Sequence, residues 1–210
     1  MNERVILETQ GGGHLAANVD GYPVELGEFS PEASRRATAL RAGLPLASFA
    51  AARNAAAQEI QTLIRRLARR GLIEYRLTHG RKDLAVIEPQ IAEYWPHAAK
   101  LRASDRLVLS RFAYLRRRGN ALVLESPRAG ALFRICEPTV ASFLAELSRP
   151  QTIRELKQRR GFPGLELLAL LADCDILLTL AAKAGDGLRP QEGDPDLVLW
   201  DFHDLVFHTR

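Results

Sequence analysis

The sequence predicts an α+β protein with two tandem winged-helix modules, followed by a linker and a terminal helix. Each module is expected to contain a three-stranded antiparallel meander and three helices. Two observations predict this class: short β-rich runs precede amphipathic helical patterns, and the second half of the chain repeats the order of the first. The predicted domains are residues 1–90, 106–182 and 183–210.

The first meander is predicted from turn residues between short β-rich runs. Its strands are residues 5–10 and two within 15–29, around the turn Asp20-Gly21. Ser30 before a proline is typical of a helix start, with the serine as N-cap. A second, short helix is expected at residues 45–53.

The strongest helical pattern covers residues 56–70. Its apolar stripe, at i, i+3, i+4 and i+7, consists of Ile60, Leu63, Ile64 and Leu67. The other side of the helix carries Arg65, Arg66, Arg69 and Arg70. Gly71 is placed to end the helix in a left-handed conformation. A hairpin at residues 72–89, turning at His79-Gly80, then forms the wing.

The second module repeats this order after a linker at residues 88–105. Its strands are predicted at 111–118, 121–126 and 131–136, and its helices at 137–147, 152–159 and 164–174. Thr152 and Glu155 have the spacing of a capping box, which predicts the start of the middle helix.

The two halves also align in their apolar positions, over residues 62–77 and 166–181. In this alignment Gly71 falls opposite Asp175. Aspartate tolerates the left-handed conformation better than most residues other than glycine, so both positions suit the end of a helix. The alignment therefore indicates a duplicated module.

The composition argues against several classes of protein. The chain has 210 residues, of which 47% are hydrophobic and 26% charged, and these values are typical of a globular protein. Cys136 and Cys174 lack the spacing of a metal site, so we interpret them as reduced core residues of a cytoplasmic protein. No apolar run reaches the roughly 18–20 residues of a membrane span. The net charge of +4 permits an acidic partner without requiring one.

The sequence predicts no catalytic residue and no metal ligand. His203 and His208 are five residues apart and would point about 140° away from each other on a helix, whereas a metal site favours i, i+4 spacing. The glycine-rich residues 11–14 lack the lysine and hydroxyl residue of a phosphate loop. No Ser/His/Asp or Cys/His arrangement can be assembled.

DNA binding is the alternative function that the sequence leaves open. A basic helix at residues 56–70, followed by a wing with Arg76, Arg81 and Lys82, is typical of a winged-helix DNA-binding regulator. The second module has no such face, because its last helix carries Glu166 and Asp173. A nucleic-acid partner is therefore disfavoured.

Peptide binding is the function that the strands favour. An open strand edge can pair with an extended peptide, and the third strand of each module would form a groove beside the third helix. The predicted peptide-binding residues are Val24, Leu26, Ala131, Leu132, Phe133, Arg134, Ile135 and Leu168. Arg116, Arg117 and Arg118 lie in the same module as Arg134, and this basic neighbourhood would favour an acidic peptide there.

Two segments resemble a known enzyme family. Residues 109–129, LSRFAYLRRRGNALVLESPRA, and 199–210, LWDFHDLVFHTR, are similar to the SagB/ThcOx-type azoline dehydrogenases. These flavin enzymes oxidise thiazolines and oxazolines in ribosomally made, modified peptides. The module itself resembles the PqqD-like peptide-recognition element of those pathways. The resemblance implies that this chain is the leader-peptide recognition region of an FMN-dependent oxidoreductase.

The resemblance also implies a cofactor and partners. It places residues 197–210 at the start of a nitroreductase-like FMN domain and Arg210 at the start of the motif that binds the flavin phosphate. We therefore expect the chain to end where the catalytic domain begins, with no cofactor in this chain and FMN in the full-length protein. The implied partners are the precursor leader peptide, a pathway cyclodehydratase and a second copy in a homodimer. The sequence leaves open which module binds the leader, and whether both modules only support the catalytic domain.

Overall fold

The computed structural model describes residues 5–46 and 55–180, which form antiparallel sheets and five α-helices. This confirms the mixed class of helices and antiparallel sheets, whereas the tandem winged-helix arrangement stays a prediction. Most of the short helix predicted at 45–53 lies outside the described residues. The linker and terminal helix predicted within residues 183–210, and with them Arg210, also lie outside the described residues.

The strands are β1 Val5–Thr9, β2 His14–Val19, β3 Tyr22–Glu28, β4 Tyr75–His79, β5 Lys82–Pro89, β6 Arg106–Leu109, β7 Tyr114–Arg118, β8 Ala121–Glu125, β9 Ala131–Ile135, β10 Gln151–Thr152 and β11 Leu177–Leu180. The helices are α1 Pro31–Ala39, α2 Ala55–Arg69, α3 Pro138–Glu146, α4 Ile153–Leu156 and α5 Leu165–Asp173. A 3-10 turn covers Gly11–Gly13 between β1 and β2.

The described chain forms two compact units. The first unit contains residues 5–46, 55–75 and 91–94, and the second contains 76–90 and 95–180. This division differs from the boundary predicted at residue 90. The reason is that the hairpin of β4 and β5, predicted as a wing of the first module, is hydrogen-bonded into a sheet of the second unit.

The first unit contains the sheet β1-β2-β3, in that order. Its second hairpin turns at Asp20 and Gly21, whose φ angles are 51° and 91°, so the predicted turn is confirmed. Ser30 caps α1 as predicted, because its side chain accepts a hydrogen bond from the N–H of Ala33. The predicted stripe of α2 is buried: Ile60, Leu63, Ile64 and Leu67 are all at most 2% exposed.

The second unit contains a five-stranded sheet in the order β4-β5-β9-β8-β7. Its second sheet has the order β10-β6-β11. The sequence analysis did not predict β6, β10 or β11, which have only four, two and four residues. The capping box of Thr152 and Glu155 is present and begins α4, as predicted. Cys174 is buried as predicted, but Cys136 is exposed at the end of β9, which corrects its assignment to the core.

Helices α2 and α5 end in the same way. Gly71 and Asp175 both have positive φ, at 65° and 54°. In each case the next residue donates its N–H to a carbonyl five residues back, from Leu72 to Leu67 at 2.9 Å and from Ile176 to Leu171 at 3.0 Å. This is the Schellman motif, so the alignment of these two helix ends is confirmed.

Candidate functional site

Strand β3 lies at the edge of the first unit's sheet, with β2 on its other side. Val19 and Tyr22 flank a two-residue turn and form a hydrogen-bonded pair, so the residues that alternate with them direct their main-chain groups away from β2. These residues are Pro23 and Glu25. Proline has no N–H and suits such a position. The N–H and C=O of Glu25 therefore face the open edge.

The two residues predicted as contacts on β3 differ in exposure. Val24 is half-buried, whereas Leu26 is 2% exposed and belongs to the core. Glu25, between them, is exposed. Because side chains alternate along a strand, a peptide beside β3 would approach Val24 on one face and Glu25 on the other. The contact of Val24 with a peptide stays a prediction.

Arg66 of α2 is bonded to β3, although its sequence position suggested a solvated basic face. Its guanidinium donates a hydrogen bond to the carbonyl oxygen of Leu26 and lies 5.3 Å from the ring centroid of Phe29. The carbonyl is accessible because the register of β2 and β3 shifts here, which leaves Leu26 without a partner on β2. Arg66 therefore joins α2 to the candidate edge and takes one of its acceptors.

Glu59, which lies about two turns before Arg66 on α2, makes a second connection. Its carboxylate accepts a hydrogen bond of 3.0 Å from the N–H of Ser30, the residue that caps α1. Two hydrogen bonds from Ser30, the larger effect from its side chain and the smaller from its main-chain N–H, lower the pKa of Glu59 from its usual value. Arg66 therefore connects α2 to β3, and Glu59 connects it to Ser30 in the segment that follows β3.

The Glu59 carboxylate is expected to stabilise the first unit in a pH-dependent way. Its folded pKa is lower than its unfolded pKa, so this stabilisation is present above an unfolded value of about 4.5 and is lost as pH falls through the folded pKa. The difference in unfolding free energy between the wild type and Glu59→Gln should therefore shrink in acid. Urea unfolding at a series of pH values measures it. If the difference in unfolding free energy between the two proteins stayed constant down to the folded pKa, the Glu59 carboxylate would not be the source of this stabilisation.

Gly27 is expected to be required beside Arg66. Its φ is +104°, and an added Cβ would meet the Arg66 guanidinium. Gly27→Ala should therefore cost about 1–3 kcal/mol of stability from backbone strain and displace Arg66 from Leu26. Gly21→Ala is the matched control, because Gly21 has a φ of +91° but open space at its Cβ. Equal losses in urea unfolding would show that the Arg66 contact contributes nothing.

Strand β9, the second predicted site, has no open edge. It lies between β5 and β8, and β5 pairs with it from Ala85 opposite Ile135 to Pro89 opposite Ala131. Hydrogen bonds from Cys136 to Leu84 at 3.0 Å and from Gln90 to Gly130 at 2.9 Å extend the pairing. The predicted free edge of β9 is therefore wrong: the hairpin of the chain's own first half occupies it.

The side chains predicted to contact a peptide in the second unit are mostly buried. Ala131, Leu132, Phe133, Ile135 and Leu168 are all at most 7% exposed. Arg134 is half-buried and lies 3.8 Å from the carboxylate of Glu88 on β5. In the described structure these residues form the interior of a sheet and a helix rather than an open groove.

The predicted basic neighbourhood of β9 is largely neutralised. Arg118 contacts both carboxylate oxygens of Glu88, at 2.6 and 2.7 Å. Arg116 donates to Glu125 at 2.5 Å, and this hydrogen bond raises the pKa of the Arg116 guanidinium above its usual value. Of the four arginines, Arg117 is exposed and forms no ion pair among the described residues.

Several cations of the DNA-binding alternative also have acidic neighbours. Arg69 lies 3.9 Å from Glu93, and Arg76 lies 3.3 Å from Asp83. Lys82 lies 3.7 Å from Glu137. Together with Arg66, which is bonded to β3, these contacts reduce the positive charge available to phosphates, and no observation supports the DNA-binding alternative.

In residues 5–46 and 55–180, no group of three or more His, Cys, Asp or Glu side chains could hold a metal ion. Within the same ranges, no helix is long and apolar enough to cross a membrane. FMN binding stays a prediction of the resemblance, because Arg210 is outside these ranges.

Residues 107–210 match the family model of the cyanobactin oxidase ThcOx. No curated protein matches the chain. The ThcOx match begins in β6 and contains β7, β8 and β9, and it includes both segments that carry the resemblance in the sequence. It supports the resemblance of the second half of the chain to the ThcOx-type family. The β3 edge lies before the part that matches ThcOx.

Proposed function

We propose that this chain recognises the leader peptide of a precursor that an azoline oxidase modifies, and that the leader binds at the open edge of β3. The observation that carries this proposal is the orientation of Glu25, whose N–H and C=O both face away from β2 at the edge of the sheet. Strand addition to such an edge is a common mode of peptide recognition.

The edge would bind an extended peptide mainly through its main chain. Glu25 supplies one donor and one acceptor, and Pro23 supplies a second acceptor. Val24 and Glu25 would then contact alternate side chains of the leader, which is where sequence preference arises. Arg66 and Glu59 contribute by holding α2 beside β3, so that the edge is already ordered when the peptide arrives.

The second unit is proposed to be structural rather than peptide-binding at β9. The pairing of β5 with β9 favours this role, because an added peptide strand would first have to displace β5. Val86 and Ile87 in the middle of β5 are 3% and 2% exposed, so displacement would also expose apolar side chains.

From the resemblance and the ThcOx match, we propose FMN as the cofactor of the full-length protein. FMN would supply the two-electron oxidation of the azoline ring. A homodimeric catalytic core and a cyclodehydratase partner are proposed on the same basis. Leader binding at β3 would raise the effective concentration of the azolines near the catalytic domain.

The function can be tested with a candidate precursor peptide from the same organism, divided into its leader and core halves. Fluorescence anisotropy with each labelled half gives the affinities. We expect the leader half to bind and the core half to bind more weakly or not at all. Binding of the core half alone, or of neither half, would contradict leader recognition.

A further inference from the structure

The outer strand β7 has the properties of a second docking edge. It is the last strand of the five-stranded sheet, with β8 on its inner side. Arg118 and Ala121 flank the two-residue turn of this hairpin and form its first hydrogen-bonded pair. Leu115 and Arg117 alternate with Arg118 and Arg116, so their N–H and C=O groups face outward. An extended chain could therefore pair with β7 across these two residues.

The side chains of β7 combine apolar and basic character. Tyr114 and Leu115 are 47% and 40% exposed, and they are adjacent members of the small group of exposed large hydrophobic residues in the described chain. Residues 111–120 contain four arginines and no acidic residue. Arg116 and Arg118 are paired with Glu125 and Glu88, so among the three arginines of β7 it is Arg117 that has no ion pair with a described residue.

The charges indicate which kind of partner fits this edge. A second copy of β7, placed antiparallel, would bring the three consecutive arginines of each copy close together, and like charges on neighbouring strands are destabilising. A strand of alternating acidic and apolar residues would instead place its carboxylates on the face of Arg117 and its apolar side chains on the opposite face, beside the exposed Tyr114. Charged side chains such as arginine often protect an edge strand from pairing with another chain. The two exposed large hydrophobic residues of β7, Tyr114 and Leu115, do not contribute to such protection and instead favour a partner.

We propose that the β7 edge is a strand-docking surface for an extended, acidic segment of a separate polypeptide. The partner would add as a sixth strand, with main-chain hydrogen bonds to Leu115 and Arg117. Its carboxylates would face Arg117. This surface is distinct from the β3 edge, which belongs to the first unit, and the proposal does not depend on leader recognition there.

A synthetic peptide of alternating glutamate and valine, capped at both ends and fluorescently labelled, tests this proposal on the full chain. We expect it to bind, and the same peptide with lysine in place of glutamate not to bind. Arg117→Glu should weaken binding about tenfold, because an exposed attraction becomes a repulsion. Higher salt should also weaken binding, since the charges are exposed.

Proline at Leu115 separates strand addition from simple charge attraction. Leu115→Pro removes an N–H that does not bond to β8, so the hairpin should stay folded while peptide binding falls at least about tenfold. Leu115→Ala is the matched control that keeps the N–H, and circular dichroism confirms that each variant is folded. Glu25→Pro, on β3, should leave this binding unchanged.

Three outcomes would overturn the proposal. The first is equal binding of the acidic and basic peptides. The second is binding that Leu115→Pro and Arg117→Glu leave unchanged in folded protein. The third is a chain that binds no peptide but forms a dimer in sedimentation experiments, when Leu115→Pro abolishes that dimer. This result would assign the edge to a second copy of the chain.

Discussion

Replacing Glu25 with proline is expected to weaken binding of the leader peptide strongly while the first unit stays folded. The N–H of Glu25 points away from β2, so its removal leaves the hairpin ladder complete. A peptide strand beside β3 would lose its one donor between Pro23 and Leu26 and would meet the proline ring. An unpaired acceptor alone costs about 1–3 kcal/mol, so we expect a loss of about tenfold to a hundredfold in affinity.

Two control variants make this experiment specific. Glu25→Ala removes the exposed carboxylate but keeps the N–H, and should bind the leader nearly as well as the wild type. Val24→Pro removes an N–H that is used in the pair with Ala17 on β2, and should instead destabilise the sheet. Anisotropy gives the affinities, and circular dichroism gives the folded fraction. An affinity for the leader that is the same in folded Glu25→Pro as in the wild type would exclude strand addition at β3.

Replacing Phe133 with alanine is expected to destabilise the second unit by about 3–5 kcal/mol. Phe133 is 0% exposed and lies in the middle of β9, opposite Ile87 on β5 and Leu124 on β8. Truncation would remove a large buried side chain from a sheet that is paired on both sides. Urea unfolding of the purified chain measures the effect.

Val24→Ala provides the comparison for Phe133→Ala. Val24 is half-buried on the candidate edge, so its truncation should change stability by less than about 1.5 kcal/mol, and any larger effect should be on leader affinity. The opposite pattern would be informative. If Phe133→Ala left stability unchanged but abolished leader binding, β9 would be the site, and β5 would have to leave it when the peptide binds.

The features that the sequence predicted correctly are local ones. The hairpin turn at Asp20-Gly21, the capping box of Thr152 and the helix ends at Gly71 and Asp175 each depend on a few neighbouring residues. Their conformations follow from positive φ or from side-chain hydrogen bonds to the nearby main chain. For the same reason, the apolar stripe of α2 could be read directly from its periodicity.

The features that the sequence did not predict depend on long-range pairing. The pattern of residues 82–89 predicted a strand but contained no information on its neighbour, which is β9 rather than a strand of the first meander. Arg66 has the periodicity of a solvated face, yet its long side chain reaches a carbonyl forty residues earlier in the chain. As a result, the predicted free edge of β9 was wrong. The contact by which Arg66 takes an acceptor of the β3 edge was not predicted.

The bond between Arg66 and Leu26 has a consequence for the lifetime of a leader complex. Arg66 occupies the carbonyl of Leu26, and Pro23 has no N–H. Residues 23–26 of β3 therefore offer a peptide one main-chain donor and two acceptors. So few main-chain bonds favour fast dissociation, because differences in affinity are expressed mainly in the off-rate. Under the proposed function, a brief residence time would let each oxidised product leave and keep the enzyme available for the next precursor.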